Sequence, residues 1–362
     1  MQTNILDYEL PASAIARFPA EPRDHSRLLV FWRSSGEVRH AHFHQLPELL
    51  RADDLLIAND SRVLPAKLTL ARSSGRKFQG LFLEELSAGT WRVMLRSDGQ
   101  LTVGEELILR GGQGGLHWTV RLASRCVDEP GQWLVRVLPA DEATTVLGQV
   151  GEVPLPPYIE KARHKQPTPL PAGLDDRRSY QTVYARVPGA LAAPTAGLHF
   201  TPELMQRLSA QGIAQAFVTL DVGLGTFLPI RSDHVHDHAM HREKFYIPAA
   251  TVEAIWRQRE RAGRLVLVGT TAVRTLESAA STLLHGHGPA VDITGSTDLF
   301  ITPGFCFQLT DALITNFHLP KSTLLALVAA LIGIGKLQEL YALALREGYR
   351  FYSYGDAMLI LP

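Results

Sequence analysis

The chain has 362 residues, 46% of them hydrophobic and 20% charged, and Lys+Arg 36 balances Asp+Glu 36 for a formal net charge of +0. That composition places it among ordinary globular proteins rather than disordered or membrane chains, and with no whole-molecule charge a polyanionic partner has to meet a local basic patch. The two cysteines, Cys126 and Cys306, lie far apart without CxxC or metal spacing, which argues against a disulfide framework or a zinc ribbon.

The length suits two domains. The stretch Met1-Gln-Thr-Asn-Ile-Leu-Asp-Tyr8 has neither the basic nor the apolar part of an export signal. The longest apolar run, Leu324–Gly335, is too short to span a bilayer, so a cytoplasmic protein with no membrane association is expected. Leu55–Ala58 reads as a short buried strand ending in Asn59, Asp60, Ser61 and Arg62, which form either a polar-capped turn or a ligand position at a strand end.

From Leu68 to Leu138 the texture changes. Short β-rich runs at Phe78–Leu86, Trp91–Arg96, Glu105–Leu109, Leu116–Ala123 and Gln132–Leu138 alternate with Gly- or Asp-containing turns, the pattern of a small all-β barrel or sandwich inserted into another domain. The prolines of Gly151–Ile159 predict an extended crossing back. Lys161–Ser179 is expected to be a surface loop, its basic groups either touching phosphates or simply solvated.

Pro188–Phe200 is a built loop. Two prolines restrict φ, Gly189 and Gly197 permit close backbone approach, and Thr195 and His199 supply the only side chains capable of polar chemistry. It is either a tight structural crossing or one wall of a site. Thr201-Pro-Glu203 then starts a helix closed by Gly212, which puts His199 just before a helix N-terminus.

Ala214–Leu220 is a buried strand running into Asp221-Val-Gly-Leu-Gly-Thr-Phe227. That segment resembles the glycine-rich first motif of S-adenosylmethionine-dependent methyltransferases, although there the glycines open a helix and here Pro229 keeps the chain extended. His234, His236, His238 and His241, with Glu243, invite a metal reading, yet no HExxH pattern exists; general acid–base work or substrate hydrogen bonding by His238, His241 and Glu243 is the alternative.

Thr251–Gly263 reads as an amphipathic helix and Leu265–Val268 as a strand, followed by a turn into Gly269-Thr-Thr-Ala-Val-Arg-Thr-Leu-Glu-Ser278. Thr270 and Thr271 at that turn either cap the helix or hold a ribose, carboxylate or phosphate. Arg274 and Glu277 share a face at i, i+3. Ala312–Thr315 is a further buried strand ending in Asn316-Phe-His-Leu-Pro-Lys-Ser-Thr323 before an apolar helix from Leu324; another helix, Lys336–Glu347, closes at Gly348. Tyr349–Ile360 is expected to be a terminal strand interrupted by Gly355-Asp356, with Asp356 either a buried anchor or a site carboxylate.

Several blocks now stand together: Asn59-Asp-Ser-Arg-Val-Leu-Pro-Ala66, Val153-Pro-Leu-Pro-Pro-Tyr-Ile159, Tyr180-Gln-Thr-Val-Tyr184, Ala192-Ala-Pro-Thr-Ala-Gly-Leu-His-Phe200, Asp237-His-Ala-Met-His241, Gly269–Ser278, Thr315–Thr323 and Tyr352-Ser-Tyr-Gly-Asp-Ala-Met358. In these the chain resembles the S-adenosylmethionine:tRNA ribosyltransferase-isomerases of queuosine biosynthesis from near its start to its last residues. The resemblance implies an α/β catalytic domain with a mixed sheet and helices at 1–67 and 152–362, and an inserted small all-β barrel at 68–151. It also implies transfer and isomerisation of the ribosyl part of S-adenosylmethionine onto 7-aminomethyl-7-deazaguanine at the tRNA wobble position, giving epoxyqueuosine-tRNA, adenine and methionine.

S-adenosylmethionine would be a co-substrate, with no prosthetic group and no metal, and the tRNA anticodon loop the partner of a monomeric enzyme. The sulfonium acidifies the neighbouring ribose C5′ hydrogens, so the site needs a base, a proton donor for departing adenine and a neutral attacking amine. In the matching blocks the titratable groups are His199, His241, Glu243, His318 and Asp356, with a histidine expected as base and Phe200 or Phe317 available for a cation–π contact to the sulfonium. Thr195, Gly269, Thr270, Thr271, Arg274, Glu277 and Asn316 are expected to bind S-adenosylmethionine, and Arg62, Lys67 and Lys321 to meet tRNA phosphates. The chain departs from the family's usual residues at Asp221, Ala272, Lys67, Thr302 and Glu152. A methyltransferase and a catalytically inert tRNA-binding relative are the alternatives.

Overall fold

The computed structural model describes residues 1–96, 101–111, 118–127, 129–165, 169–223, 230, 232–286 and 288–362. The chain forms two compact units, one made of Met1–Arg62 with Pro156–Pro362 and the other of Val63–Leu155. Among the described residues no single helix is long and apolar enough to cross a membrane.

The first unit is built on a mixed sheet of β1 (Arg27–Trp32), β2 (Val38–His42), β3 (Leu55–Asn59), β4 (Ala214–Leu220), β5 (Glu243–Ile247), β6 (Leu265–Val268), β7 (Ile293–Thr297), β8 (Ala312–Asn316) and β9 (Ala357–Leu361). Their spatial order is β7-β5-β4-β3-β6-β8-β9-β1-β2. Strands β4, β3, β6 and β8 run parallel at the centre, so Leu220, Asn59, Val268 and Asn316 all finish at one edge. β9 runs antiparallel to β8 and pairs Ala357 with Asn316, and β1 lies parallel to β9 with Leu28 opposite Ala357. That register brings the residues just before β1 and β9 to the same edge.

The side chains of the central strands divide cleanly between two cores. Leu55, Ile57, Leu265, Leu267, Leu313, Met358 and Ile360 belong to one buried cluster. Leu56, Ala58, Val266, Val268, Ile314, Ala357, Leu359 and Leu361 belong to the other. A strand buried on both faces needs an unbroken apolar run, which is what these sequences carry. Each large aliphatic side chain so buried contributes about 1.5–3 kcal/mol.

Helices cover both faces. The helices Ala249–Glu260, Gly269–Ser278, Thr323–Ile332 and Ile334–Arg346 supply residues to the first cluster, and Pro202–Ala210 supplies Leu204 and Leu208 to the second. Two starts follow the expected capping chemistry: Leu204 N–H donates to Thr201 Oγ1 at 3.1 Å, and Leu325 N–H donates to Ser322 Oγ at 3.2 Å.

Two local expectations are corrected. Pro157–Lys165 is a helix rather than the end of an extended crossing and the start of a loop. Proline is tolerated in the first helical turn, where its missing N–H would have no intrahelical acceptor. The terminal strand begins only at Ala357, because Arg350 N–H turns back onto the carboxylate of Asp356 at 2.8 Å and Gly355 N–H onto Tyr352 O at 2.9 Å.

The second unit contains a closed six-stranded antiparallel barrel in the order Gln132–Leu138, Thr90–Arg96, Lys77–Ser87, Lys67–Ala71, Glu106–Arg110, Thr119–Arg125. Trp91, Val93, Val120, Leu122, Trp133, Val135 and Val137 recur at every second position and are buried, so alternation fills the interior. The expected fold class, a mixed α/β sheet with a small β-barrel, is the observed one. Leu116 and His117 of the predicted strand, and Leu224–Pro229 with Arg231 of the glycine-rich segment, lie outside the described residues.

Candidate active site

Polar groups converge at the edge where β3, β4, β6 and β8 finish, the side of an open α/β sheet on which ligands bind. The loop before Phe200, the start of the helix Gly269–Ser278 and the end of β8 together line a cleft that includes Thr195, Gly269, Thr270, Thr271, Asn316 and His318. Gly269 has φ +85, a conformation that lets β6 turn directly into its helix. Gly197 is required for space: a Cβ there would stand 2.1 Å from Tyr184 Oη and 2.8 Å from Thr182 Cγ2.

The lining carries buried polar atoms whose needs the described residues leave unmet. Thr271 Oγ1 and Asn316 Oδ1 have no hydrogen-bond partner among the described residues. An unmade buried hydrogen bond costs about 1–3 kcal/mol, and both atoms belong to residues that line the cleft. Thr271 can donate and the Asn316 carbonyl can only accept.

His199 lies behind this wall. Its Nδ1 is 2.7 Å from Ser26 Oγ, its Nε2 is 3.1 Å from Asn316 Nδ2, and its ring stacks on Phe43 at 4.9 Å. Asn316 Nδ2 also donates to Tyr352 O at 3.1 Å, so the amide nitrogen faces His199 and the proton of the ring sits on Nδ1. Burial, reinforced by the nearby positive charges of Arg350 and Arg23, pushes the His199 pKa down to about 3. The imidazole is therefore neutral and holds the Asn316 carboxamide in one orientation.

His318 does line the cleft, and burial pushes its pKa to about 3 as well. Its Nε2 is 2.7 Å from Thr315 Oγ1, its N–H donates to Tyr341 Oη at 3.0 Å, and its carbonyl accepts from Tyr8 Oη. Glu243 and Arg274, both buried, form an ion pair in an adjoining pocket with His238, Met240 and His241; Leu324 lines both spaces. Gly223 N–H donates to Glu243 Oε1 at 2.9 Å and Arg274 Nε–H to Leu299 O at 3.0 Å.

The remaining expected residues lie elsewhere. Glu277 is buried, but its carboxylate accepts from Gln308 N–H, Leu309 N–H and Thr310 Oγ1, fastening the turn before β8. Asp356 accepts from the N–H groups of Arg27 at 3.0 Å and Arg350 at 2.8 Å, and pairs with the Arg350 guanidinium at 3.4 Å. Neither lines the cleft. Phe200 packs against Phe43 and Tyr184, whereas Phe317 contributes to a second adjoining space. Lys321 pairs with Asp7 at 2.7 Å, Arg62 is exposed, and Lys67 belongs to the barrel unit. Asp221 is half-buried, and burial followed by the nearby Glu243 raises its pKa against the opposing pull of Lys244. Of the histidine run, His236 is exposed beside Asp237, and His238 is held below the usual imidazole range by burial and by His241.

Several contributors were not singled out from sequence. Tyr158 and Tyr352, rings 4.6 Å apart, line the second space with Ser353. Tyr158 lies within the Val153–Ile159 block, which is its only signal. Ser26 and Phe43 precede or follow β1 and β2 at positions with no motif, and only the tertiary fold brings them to His199.

Comparisons with known proteins agree with the fold. A family model described as "Queuosine biosynthesis protein" matches residues 3–360. Among curated relatives, the S-adenosylmethionine:tRNA ribosyltransferase-isomerase of Gloeobacter violaceus is 46% identical, covering 99% of this chain and 96% of that protein. That of Moorella thermoacetica is 44% identical and covers 100% of both. The crystal structure of an S-adenosylmethionine tRNA ribosyltransferase from Thermotoga maritima matches with a TM-score of 0.54 and 35% identity, covering 99% of this chain and 100% of that one.

Proposed function

The chain belongs to the queuosine biosynthesis family whose curated members are S-adenosylmethionine:tRNA ribosyltransferase-isomerases, and from that premise we propose how its residues divide the work. The reaction transfers and isomerises the ribosyl moiety of S-adenosylmethionine onto 7-aminomethyl-7-deazaguanine at the tRNA wobble position, and leaves epoxyqueuosine-tRNA, adenine and methionine. The chain is a transferase; it works in the cytoplasm, where its tRNA is.

The observation that carries the site assignment is the pair of partnerless buried atoms, Thr271 Oγ1 and Asn316 Oδ1, facing one cleft at the carboxyl edge of the sheet. A donor beside an acceptor matches the edge of adenine, whose ring nitrogens accept and whose amino group donates. Thr195, Gly269 and Thr270 complete the wall around the nucleoside. Holding the ribose still between them converts a difficult encounter into a positioned reaction.

His318 is the base we assign. Of His199, His241 and His318 it is the one that lines the cleft with Thr271 and Asn316, where the carbon that the sulfonium acidifies would lie. His199 does not reach the cleft; it fixes the Asn316 amide and so acts through it. Glu243 and half-buried Asp221 put negative charge near the cationic centre, and His241 stands at the mouth of the adjoining pocket. Asp356 shapes the turn that carries Tyr352 and Ser353, and Glu277 sets the approach to β8. Arg62, Lys67 and Lys321 are proposed phosphate contacts. The wobble base is already single-stranded, which lowers the cost of drawing it into a pocket.

The test is a product assay. The chain is mixed with S-adenosylmethionine and tRNA bearing the aminomethyl precursor, and tRNA mass and free adenine are followed together. The proposal expects adenine in equal amount to tRNA carrying the epoxycyclopentanediol mass. A methyl-sized gain, or binding with neither product, refutes it.

A further inference from the structure

We infer that the buried Arg274–Glu243 ion pair is the receptor for the α-amino acid end of S-adenosylmethionine, the guanidinium taking the carboxylate and Glu243 the ammonium. This rests on the functional reading above and adds the direction in which the substrate lies. Three observations carry it.

The first is a vacancy in the hydrogen bonding of Arg274. Its Nη1 donates to Glu243 Oε2 and its Nε to Leu299 O, but Nη2 has no partner among the described residues, although the side chain is 5% exposed. A guanidinium is always protonated, and Nη2 carries two N–H donors. Leaving them unmet in a buried position is costly, and a carboxylate is the ligand whose geometry a guanidinium fits.

The second is the sign of the neighbouring charge. Glu243 alone would repel an anion brought to Arg274, so a plain anion is a poor match for the pair. A zwitterion is a good one: its carboxylate meets the guanidinium and its ammonium meets Glu243. Glu243 adds to burial in raising the Asp221 pKa, and a cation brought to Glu243 offsets that repulsion.

The third is position. Thr271 and Arg274 stand three residues apart on the helix Gly269–Ser278, so their side chains share a face about 5 Å apart along the axis. Leu324 lines both the cleft containing Thr271 and the pocket containing Arg274. A nucleoside at Thr271 therefore has its sulfonium substituent leading toward Arg274. An RNA phosphate is the competing anion, but burial of the guanidinium keeps a polynucleotide backbone away from it.

Binding of S-adenosylmethionine is compared with binding of its decarboxylated analogue, which keeps the adenosine, the sulfonium and the amine. Intact chain is expected to prefer S-adenosylmethionine by about 10- to 100-fold, the value of one charge-assisted hydrogen-bonded pair. Arg274→Lys is expected to reduce that preference to about threefold or less, because a lysine ammonium cannot serve Glu243 and a second carboxylate in the same planar geometry. Equal binding of the two ligands by the unaltered chain overturns the inference and needs no variant to fold. So does an undiminished preference in Arg274→Lys, or a variant that loses tRNA affinity while keeping its ligand preference. Binding of S-adenosylmethionine without discrimination removes only this assignment, whereas no binding at all removes the functional reading with it.

Discussion

Burial makes His199 and His318 neutral rings, and their protonation is linked to folding. Both have pKa values pushed to about 3, against roughly 6.5 in an unfolded chain. The unfolded state thus binds more protons between those limits. The stability contributed by the neutral rings is complete above about pH 6.5 and is lost as pH falls toward 3, by about 1.4 kcal/mol per pH unit for each group. His199→Asn should therefore unfold with a shallower dependence on pH between 6 and 4 than the unaltered chain, measured as denaturant midpoints. Equal slopes would contradict the assignment of His199 as a buried neutral ring. Asn316 and His318, which line the cleft, were legible in sequence because polar residues there interrupt apolar surroundings at a strand end. Glu277 and Asp356 looked equivalent to them, since a carboxylate that fastens backbone amides and one that meets a substrate carry the same letter. Only the acceptor geometry separates them.

At the scale of elements, the loop before Phe200 holds its shape through contact. Tyr184 Oη occupies the space that a side chain at 197 would need, and that hydroxyl has no hydrogen-bond partner among the described residues. Gly197→Ala should destabilise the fold by about 1–3 kcal/mol through overpacking. Tyr184→Phe in the same chain should recover part of the loss by removing the obstructing oxygen, while Tyr184 Cζ at 2.9 Å and Thr182 Cγ2 at 2.8 Å still crowd the added methyl. Failure of the second change to rescue the first, in equilibrium unfolding, would show that the loop's glycine answers to something other than this contact. Strands β3, β4, β6 and β8 were readable from their apolar runs, and Ala214–Leu220 and Leu265–Val268 have the limits expected. The helix Pro157–Lys165 was not readable, because consecutive prolines signal an extended chain unless the second occupies a first helical turn. Strand Glu243–Ile247 and the edge strand Ile293–Thr297 beside it were also missed. They are partly exposed and mixed in polarity, so neither run stands out until each finds the other.

At the scale of the molecule, a barrel inserted into an α/β chain was legible from the regular spacing of short strands, which is a local property. The order of the nine strands was not, because β1 and β9 pair across almost the whole length of the chain and no local pattern announces it. That long-range pairing brings Ser26 to His199, the β8–β9 pairing sets Ala357 beside Asn316, and together they complete the carboxyl edge on which the functional account depends. The central claim is that this edge holds S-adenosylmethionine. Amide hydrogen exchange with and without S-adenosylmethionine tests it directly: residues 193–199, 269–274 and 315–318 are predicted to slow together on binding. Slowing confined to the apolar cavity between residues 5–9 and the helix Ile334–Arg346, or to the barrel strands, with those three segments unchanged, would contradict it.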